Sequence, residues 1–256
     1  MYLIATRSFP PELGGMQSLM WGLAKELSKN FMIKVFADYH KDHKEFDQAV
    51  NFSIERVGGI KFLRKIRKAQ LVNEFLKENK VQGIIADHWK SLELIKTEKK
   101  KYFLVHGKEI NHPKGGFQNK KIIKVLNNVE KVIANSEYTK NLAISVGVDH
   151  SKIVVINPGV NQAEELNKKS LDKVESLLKI KTPRLITVSR FDKRKNHEKV
   201  IMALRNLKQV YPDIVYICIG YGEEEDNIKE LVKELDLVAQ VMFFKDISTD
   251  LKNYLI

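Results

Sequence analysis

Residues 2–27 read YLIATRSFPPELGGMQSLMWGLAKEL and hold the first strand, turn and helix of the chain. The run YLIAT is short and apolar, as in a buried strand, and the apolar residues after the glycines recur at helical spacing. A pair of prolines fixes the path between them, and Gly14 and Gly15 leave the turn without side chains. This unit therefore predicts open backbone amides and a positive helix end that suit an anion. The alternative is a turn that needs glycine only for a positive φ.

The same alternation of strand and helix continues along the chain. Eight further apolar runs are separated by amphipathic segments: MIKVFAD, GIIAD, YFLVHG, KVIANS, KIVVIN, RLITVS, IVYICIG and QVMFFK. This pattern predicts an α/β fold in which helices cover parallel sheets. Two of the helices are predicted over residues 61–80 and from near His197. Their apolar stripes are Leu71, Phe75 and Leu76 in the first and Val200, Ala203, Leu204 and Leu207 in the second.

The alternation breaks between KIVVIN and RLITVS. A Pro-Gly turn, a charged run and a final Thr-Pro predict a crossover between two domains there. We predict an N-terminal domain over residues 1–160, a linker over 161–183 and a partial C-terminal domain over 184–256. The second sheet then has three strands before the sequence stops in what should be another helix.

Composition narrows the class of protein. A net charge of +12 and a pI near 9.5 favour phosphorylated ligands, anionic lipid or nucleic acid. Nucleic acid is not expected, because the basic residues are not interleaved with aromatics in a recognisable module. Cys218 is the only cysteine and is predicted to be a buried core thiol. No apolar run approaches the roughly 18 to 20 residues that span a bilayer, and no signal peptide is evident, so a cytoplasmic location is expected.

Candidate chemistry is concentrated where predicted strands end. In VHGKE, His106 ends a strand, Gly107 permits close backbone approach and Glu109 follows, which suits polarisation of a substrate hydroxyl; the alternative is a structural histidine. In ANSEYTKNL, Ser136 and Thr139 begin a helix, either as a capping pair or as a second amide-rich helix terminus for a ligand.

The motif VSRFDKRKN is the strongest anion-binding candidate. Four cations crowd a loop between a strand and a helix and repel one another unless an anion neutralises them: Arg190, Lys193, Arg194 and Lys195. Arginine and lysine there suit a diphosphate over the helix N-terminus, whereas the alternative is a solvated charge run. In GYGEEED, Gly220 and Gly222 indicate another place where the backbone permits a close approach. The motif is not a dinucleotide-binding fingerprint, because Glu225 replaces the third glycine.

In their order and approximate spacing, the motifs FPPELGGMQ, VHGKE, VIANSEYTK, VINPGV, VSRFDKRKN and IGYGEEE resemble those of the retaining glycosyltransferases of family 4, the GT-B enzymes. The resemblance runs from residue 1 to about residue 250. It implies two Rossmann-like domains facing across a cleft, with the acceptor bound mainly by the first and a nucleotide-sugar donor mainly by the second. The implied reaction moves a hexose to a saccharide or lipid-linked acceptor with retention, in cell-envelope polysaccharide or lipopolysaccharide synthesis.

The resemblance also implies roles for the candidate residues. Arg190 and Lys195 would bind the donor diphosphate and, with His106 near the transferring sugar, form the catalytic set. The remaining implied positions are Gly14, Gly15, Gly220 and Gly222 on the donor side and Gly107, Glu109 and Ser136 on the acceptor side or in the cleft. The family is metal-independent, so neither a metal nor a cofactor is expected, and a metal site at His40 and His43 is the weaker reading.

Two departures from the family pattern affect the expected activity. Lys245 stands where the family usually has glycine, and no pair of glutamates eight positions apart follows it before Ile256. We therefore expect a C-terminally truncated relative. The alternatives are a non-catalytic module that binds nucleotide sugars and a GT-B relative with other chemistry, such as a sugar-nucleotide epimerase or a phosphorylase.

The helix that begins near Lys61 suggests a further partner. Its first turns combine basic residues with apolar anchors, which predicts docking on an anionic membrane at the inner face; the alternative is a solvated helix with a buried stripe. The basic residues are Arg64, Lys65, Arg67 and Lys68, and the anchors are Phe62, Leu63 and Ile66.

Overall fold

The computed structural model describes residues 1–12, 14–159, 172 and 182–245. The chain folds into two compact units, Met1–Gly159 and Val160–Ile256. Most of the predicted linker, and the element expected at the end of the sequence, lie outside the described residues.

The first unit is built on a seven-stranded parallel sheet with the order β3-β2-β1-β4-β5-β6-β7. Its strands are β1 (Tyr2–Ala5), β2 (Ile33–Asp38), β3 (Ser53–Val57), β4 (Gly83–Ala86), β5 (Lys100–Val105), β6 (Lys131–Ala134) and β7 (Ile153–Val155). Its helices are α1 (Gly15–Ser28), α2 (His43–Gln48), α3 (Lys61–Glu78), α4 (Trp89–Leu92), α5 (Phe117–Leu126) and α6 (Glu137–Ser145).

Alternate residues of these strands supply two separate cores. Leu3 and Ala5 point to the face covered by α3, α5 and α6, whereas Ile4 points to the face where α1 packs Met20 and Ala24. Because both faces are covered, the strands are apolar on both sides, and this explains why their sequences are continuous apolar runs. The parallel α/β fold predicted for this part of the chain is confirmed.

The second unit contains a three-stranded parallel sheet with the order β10-β9-β8 in the part that the structure describes. Its elements are β8 (Arg184–Val188), α7 (His197–Val210), β9 (Val215–Ile219), α8 (Glu225–Glu234) and β10 (Val241–Phe244). Tyr216 and Cys218 face the core that both helices share, so the prediction of a buried thiol is confirmed.

Three details differ from the sequence predictions. The stripe of α7 uses the buried Ile201, whereas Ala203 is exposed, because Ile201 and Leu204 lie on the side that packs on β9. No sequence pattern predicted α2, which is six residues long and mostly polar, or β3, an edge strand that carries Glu55 and Arg56. Arg56 joins the two elements through an ion pair of 2.6 Å with Asp47.

Candidate functional site

The glycine turn that precedes α1 has an open helix terminus. Gly14 is the N-cap residue, its carbonyl accepts from the amide of Ser18 at 3.0 Å, and α1 begins at Gly15. Among the described residues no side chain caps this helix, and its first turn carries no acidic residue. Apart from its chain neighbours and the backbone of α1, no heavy atom of the described residues lies within 4 Å of the position that a Cβ of Gly15 would occupy, whereas Oε1 of Gln17 lies beside Gly14. The turn therefore presents a positive dipole end with one side-chain oxygen close by, and anion binding there stays a prediction.

His106 follows β5 with an unsatisfied ring nitrogen. Its Nε2 is buried and has no hydrogen-bond partner among the described residues. Burial lowers the pKa of this imidazole to about 4, so the ring is neutral at pH 7. A neutral imidazole with a free ring nitrogen can form a hydrogen bond to a substrate hydroxyl.

Glu109 shapes the loop that carries His106. Its Oε1 accepts from the amide of His106 at 2.6 Å and from the amide of Gly107 at 3.3 Å. Burial raises the pKa of Glu109, and these hydrogen bonds act against that rise. Gly107 has a φ of 112°, a left-handed conformation that favours glycine. The motif is thus a tight turn held by its own carboxyl group, and the cleft roles of Gly107 and Glu109 stay predictions.

Ser136 is the N-cap of α6, as the capping interpretation predicted. Its Oγ accepts from the amide of Thr139 at 3.2 Å, and Oγ1 of Thr139 donates to Asn135 at 2.6 Å. The Ser136 hydroxyl is therefore engaged in the cap, and its place in a ligand site stays a prediction.

The basic loop of the second unit is anchored by a buried aromatic residue. Phe191 is 1% exposed, its amide donates to the carbonyl of Tyr221 at 3.0 Å, and its ring lies 4.9 Å from the ring of His197. A 3₁₀ turn over Lys193–Lys195 follows, and Asn196 leads into α7 with a left-handed φ of 59°. The backbone that presents the cations is thereby fixed on both sides.

The four cations of this loop differ in their pairing. All four are exposed. Arg194 lies 3.7 Å from a carboxylate oxygen of Asp192. Arg190, Lys193 and Lys195 have no ion-pair partner within residues 182–245 or in the other described segments. The loop therefore offers unneutralised cations on a rigid frame.

Gly220 and Gly222 are required by contacts within the protein itself. A Cβ on Gly220 would lie less than 3.0 Å from the carbonyl group of Ser189, and Gly220 also has a φ of 143°. A Cβ on Gly222 would lie 2.7 Å from the carbonyl carbon of Phe191. The close approach that the sequence indicates is thus one between two loops of this unit. Contact of these glycines with a donor stays a prediction.

Glu225 and Lys245, which depart from the sequence patterns, contact each other. One carboxylate oxygen of Glu225 accepts from Lys229 at 2.6 Å and lies 3.0 Å from Nζ of Lys245. The hydrogen bond from Lys229 and then that from Lys245 lower the pKa of Glu225. The lysine in place of glycine therefore has a carboxylate partner in this chain.

The basic face predicted for α3 needs correction. Lys68 is only 5% exposed, because its ammonium group turns inward to Asp38, and Arg64 also pairs with Asp38 at 3.2 Å. Lys65 pairs with Glu93. Ile60, Phe62 and Leu63, in contrast, are 70%, 70% and 56% exposed.

Sequence reasoning missed a group of polar residues at the carboxyl ends of three strands. Thr6, Asp38 and Asp87 follow or end β1, β2 and β4, and each closes one of the apolar runs of the sequence. That shared position was the available signal. The histidines at 40 and 43 pair with single aspartates at 3.8 and 2.9 Å, and no metal-binding group of three or more His, Cys, Asp or Glu occurs among the described residues.

Comparison with known proteins identifies two family models. Glycosyltransferase Family 4 matches residues 13–164, and Glycosyl transferases group 1 matches residues 168–255.

Two curated relatives are similar over most of the chain. A GDP-mannose-dependent alpha-(1-6)-phosphatidylinositol monomannoside mannosyltransferase of Mycolicibacterium smegmatis is 20% identical over 97% of this chain and 68% of its own length. An uncharacterized glycosyltransferase of Methanocaldococcus jannaschii is 25% identical over 86% of this chain. The chain spans 63% of the length of that second relative.

Solved structures share the fold. HepE of Anabaena in complex with UDP superposes with a TM-score of 0.79 at 19% identity, covering 99% of this chain and 71% of HepE. HepE has also been solved in complex with UDP-glucose. This likeness shows the GT-B type of α/β fold, with a larger and a smaller parallel sheet.

Proposed function

Because the chain belongs to Glycosyltransferase Family 4, whose model matches residues 13–164, we propose that it transfers a hexose from a nucleoside-diphosphate sugar to an acceptor hydroxyl. The acceptor is a saccharide or a lipid-linked saccharide of cell-envelope synthesis, and the anomeric configuration is retained. The observation that carries the proposal is the basic loop of the second unit. The UDP and UDP-glucose complexes of HepE support a nucleotide sugar as the donor.

The basic loop suits the charge that develops in this reaction. The bond between the anomeric carbon and the diphosphate oxygen breaks, and the diphosphate keeps the electron pair. The acceptor oxygen bonds to the anomeric carbon and its hydroxyl proton is released. Arg190 and Lys195 stabilise the departing diphosphate, a task that cations on a rigid loop perform without reorganisation. No metal or cofactor is part of the proposal.

His106 is proposed to bind the sugar that is transferred. We expect His106→Ala to lower turnover at least about tenfold more than it lowers donor affinity, since a group at the reacting sugar acts chiefly in the transition state. The measurement is release of nucleoside diphosphate from UDP-glucose and GDP-mannose. His112→Ala, in the loop that follows, is the matched control and should leave turnover unchanged. If the parent chain turns over the donor, equal turnover of His106→Ala would assign His106 a structural role.

The same assay separates the other classes of function. Transfer or hydrolysis of the donor supports the enzyme, binding without turnover supports a non-catalytic module, and formation of an epimer supports a related activity on sugar nucleotides.

The start of α3 is proposed to dock on an anionic membrane surface. Ile60, Phe62 and Leu63 supply exposed apolar anchors, and the exposed cations Lys61 and Arg67 lie beside them. Within the described residues, no helix is both long and apolar enough to span a bilayer.

We expect Phe62→Ala to reduce the affinity for phosphatidylglycerol-containing vesicles, measured by co-sedimentation, by about tenfold or more, because one buried aromatic anchor contributes about 1.5 to 3 kcal/mol. Phe117→Ala, which removes a 75% exposed ring from α5, is the control and should sediment like the parent chain. Equal binding to neutral and anionic vesicles, or no binding, would end this proposal.

A further inference from the structure

A basic cavity lies in the first unit between α3 and the segments that follow β1 and β4. Its volume is about 300 Å³. Six cations line it: Arg7, Lys61, Arg64, Lys65, Lys68 and Lys90. They come from three segments that are far apart in sequence, so the fold itself brings these charges together.

The cavity is placed where α/β sheets bind ligands. From β1 the sheet continues to β2 and β3 on one side and to β4 through β7 on the other. The chain segments that leave β1 and β4 therefore diverge at their carboxyl ends, and a crevice forms there. Thr6 and Asp87 bridge this point, since Oγ1 of Thr6 donates to Asp87 at 2.7 Å.

Part of the positive charge in the cavity is neutralised by the protein. Lys68 donates to the Thr6 carbonyl at 2.6 Å and to Asp38 at 2.5 Å. Asp38 also pairs with Arg64, and Lys65 pairs with Glu93. Burial raises the pKa of Asp87 to about 6. Even with Asp87 charged, six cations face three carboxylates.

The remaining cations form no ion pair among the described residues. Arg7 and Lys61 have none there, and Lys90 lies over the ring of Trp89 at 5.2 Å and feels the charge of Glu93 without pairing with it. Burial, followed by the charge of Arg7, lowers the pKa of Lys90. Burial, and then the charges of Arg7 and Lys90, also lower the pKa of His88, to about 3. An anion in the cavity would relieve this repulsion.

A buried hydroxyl group with no partner in the described part of the chain is a second indication that the cavity holds an anion. Ser91 lines the cavity and is 8% exposed, and its Oγ has no hydrogen-bond partner among the described residues. A buried hydroxyl without a partner is uncommon because it forfeits a hydrogen bond to water. A bound oxyanion would accept that hydrogen bond.

We propose that this cavity binds a phosphoryl group of the acceptor. A phosphate monoester carries close to two negative charges at pH 7 and three acceptor oxygens, which match an excess of three cations better than one carboxylate does. Binding of phosphate stands on the cavity alone, whereas its assignment to the acceptor rests on the proposed function. The exposed ring of Phe62 at the rim is compatible with either a sugar phosphate or the phosphate of a lipid.

Titration of the whole chain with hexose 6-phosphate tests the cavity, with the unphosphorylated hexose as the reference ligand. We expect the phosphate ester alone to bind, and Arg7→Gln and Lys90→Gln each to weaken it by about five- to tenfold. Lys77→Gln is the matched control, because it removes an exposed charge from the last turn of α3, outside the cavity and away from the anchors at its start. Arg7 and Lys90 lie on different segments, so one variant still tests the cavity where the other fails to fold.

The second experiment measures co-sedimentation of the same variants with vesicles that contain phosphatidylglycerol. Binding of hexose 6-phosphate that depends on Arg7 and Lys90 identifies a free phosphorylated acceptor. Vesicle binding with the same dependence identifies a lipid phosphate. Equal losses in all three variants, or binding of neither probe, would overturn the proposal. Titration with UDP is the separate test of the donor loop, so a failed cavity leaves the proposed transferase activity intact, and a failed donor loop leaves the cavity intact.

Discussion

Gly220→Ala and Gly222→Ala should each lower the stability of the second unit by about 2 to 3 kcal/mol. The added methyl group would meet the backbone of Ser189 or Phe191, and backbone cannot move aside as a flexible side chain can. Gly220 also has a positive φ, so alanine there adds conformational strain. The two loops would have to separate, and Phe191 would lose its buried position.

Hydrogen exchange of the amides of β8 and β9 measures this effect. A loss of 2 to 3 kcal/mol corresponds to exchange that is about 30- to 150-fold faster. Gly22→Ala in α1 is the control: apart from the adjoining backbone of α1, no heavy atom of the described residues lies within 4 Å of its added Cβ, and alanine is the better helix former. Unchanged protection in both loop variants would show that the glycines are dispensable for packing and are retained for another reason.

Most strands of the two sheets were predictable because each is a short, almost continuous apolar run. The interior strands of the first sheet supply side chains to both cores, so an apolar run such as GIIA is a sufficient signal. The edge strand β3 carries charged residues and depends on Arg56 pairing with Asp47 of α2. That pairing joins two weakly patterned segments and cannot be inferred from either one.

The candidate sites show the same difference between interactions that are local in sequence and interactions between distant residues. Local motifs indicated the cap at Ser136 and the end of a strand at His106, because both depend on residues within a few positions, whereas the turn that Glu109 closes was not predicted. The partners of Gly220 and Lys68 are distant in sequence: Ser189 in one case and Asp38 in the other. Helical periodicity placed Lys68 on a basic face, whereas its burial depends on that aspartate thirty residues away.

Arg190→Ala and Lys195→Ala should each weaken binding of a nucleoside diphosphate by roughly ten- to a hundredfold. A charge-assisted hydrogen bond to a phosphate oxygen contributes on the order of 1.5 to 3 kcal/mol, and neither residue has a carboxylate of the described chain to satisfy it. The loop is held by Phe191, so loss of one side chain should not be compensated by movement of the other.

Lys193→Ala and Arg194→Ala are matched controls on the same loop. They remove the same unit of charge from the same 3₁₀ turn, and Arg194 already lies beside Asp192. We expect each to weaken binding less than threefold at moderate salt, the size of a screened surface charge effect.

Calorimetric titration of the parent chain and these four variants with UDP, at one fixed moderate salt concentration, distinguishes a specific diphosphate site from a diffuse basic patch. We expect saturable binding to the parent chain, a loss of tenfold or more in Arg190→Ala and Lys195→Ala, and nearly parental affinity in Lys193→Ala and Arg194→Ala. Similar losses in all four variants, or no binding of UDP or of GDP by the parent chain, would contradict a specific diphosphate site on this loop.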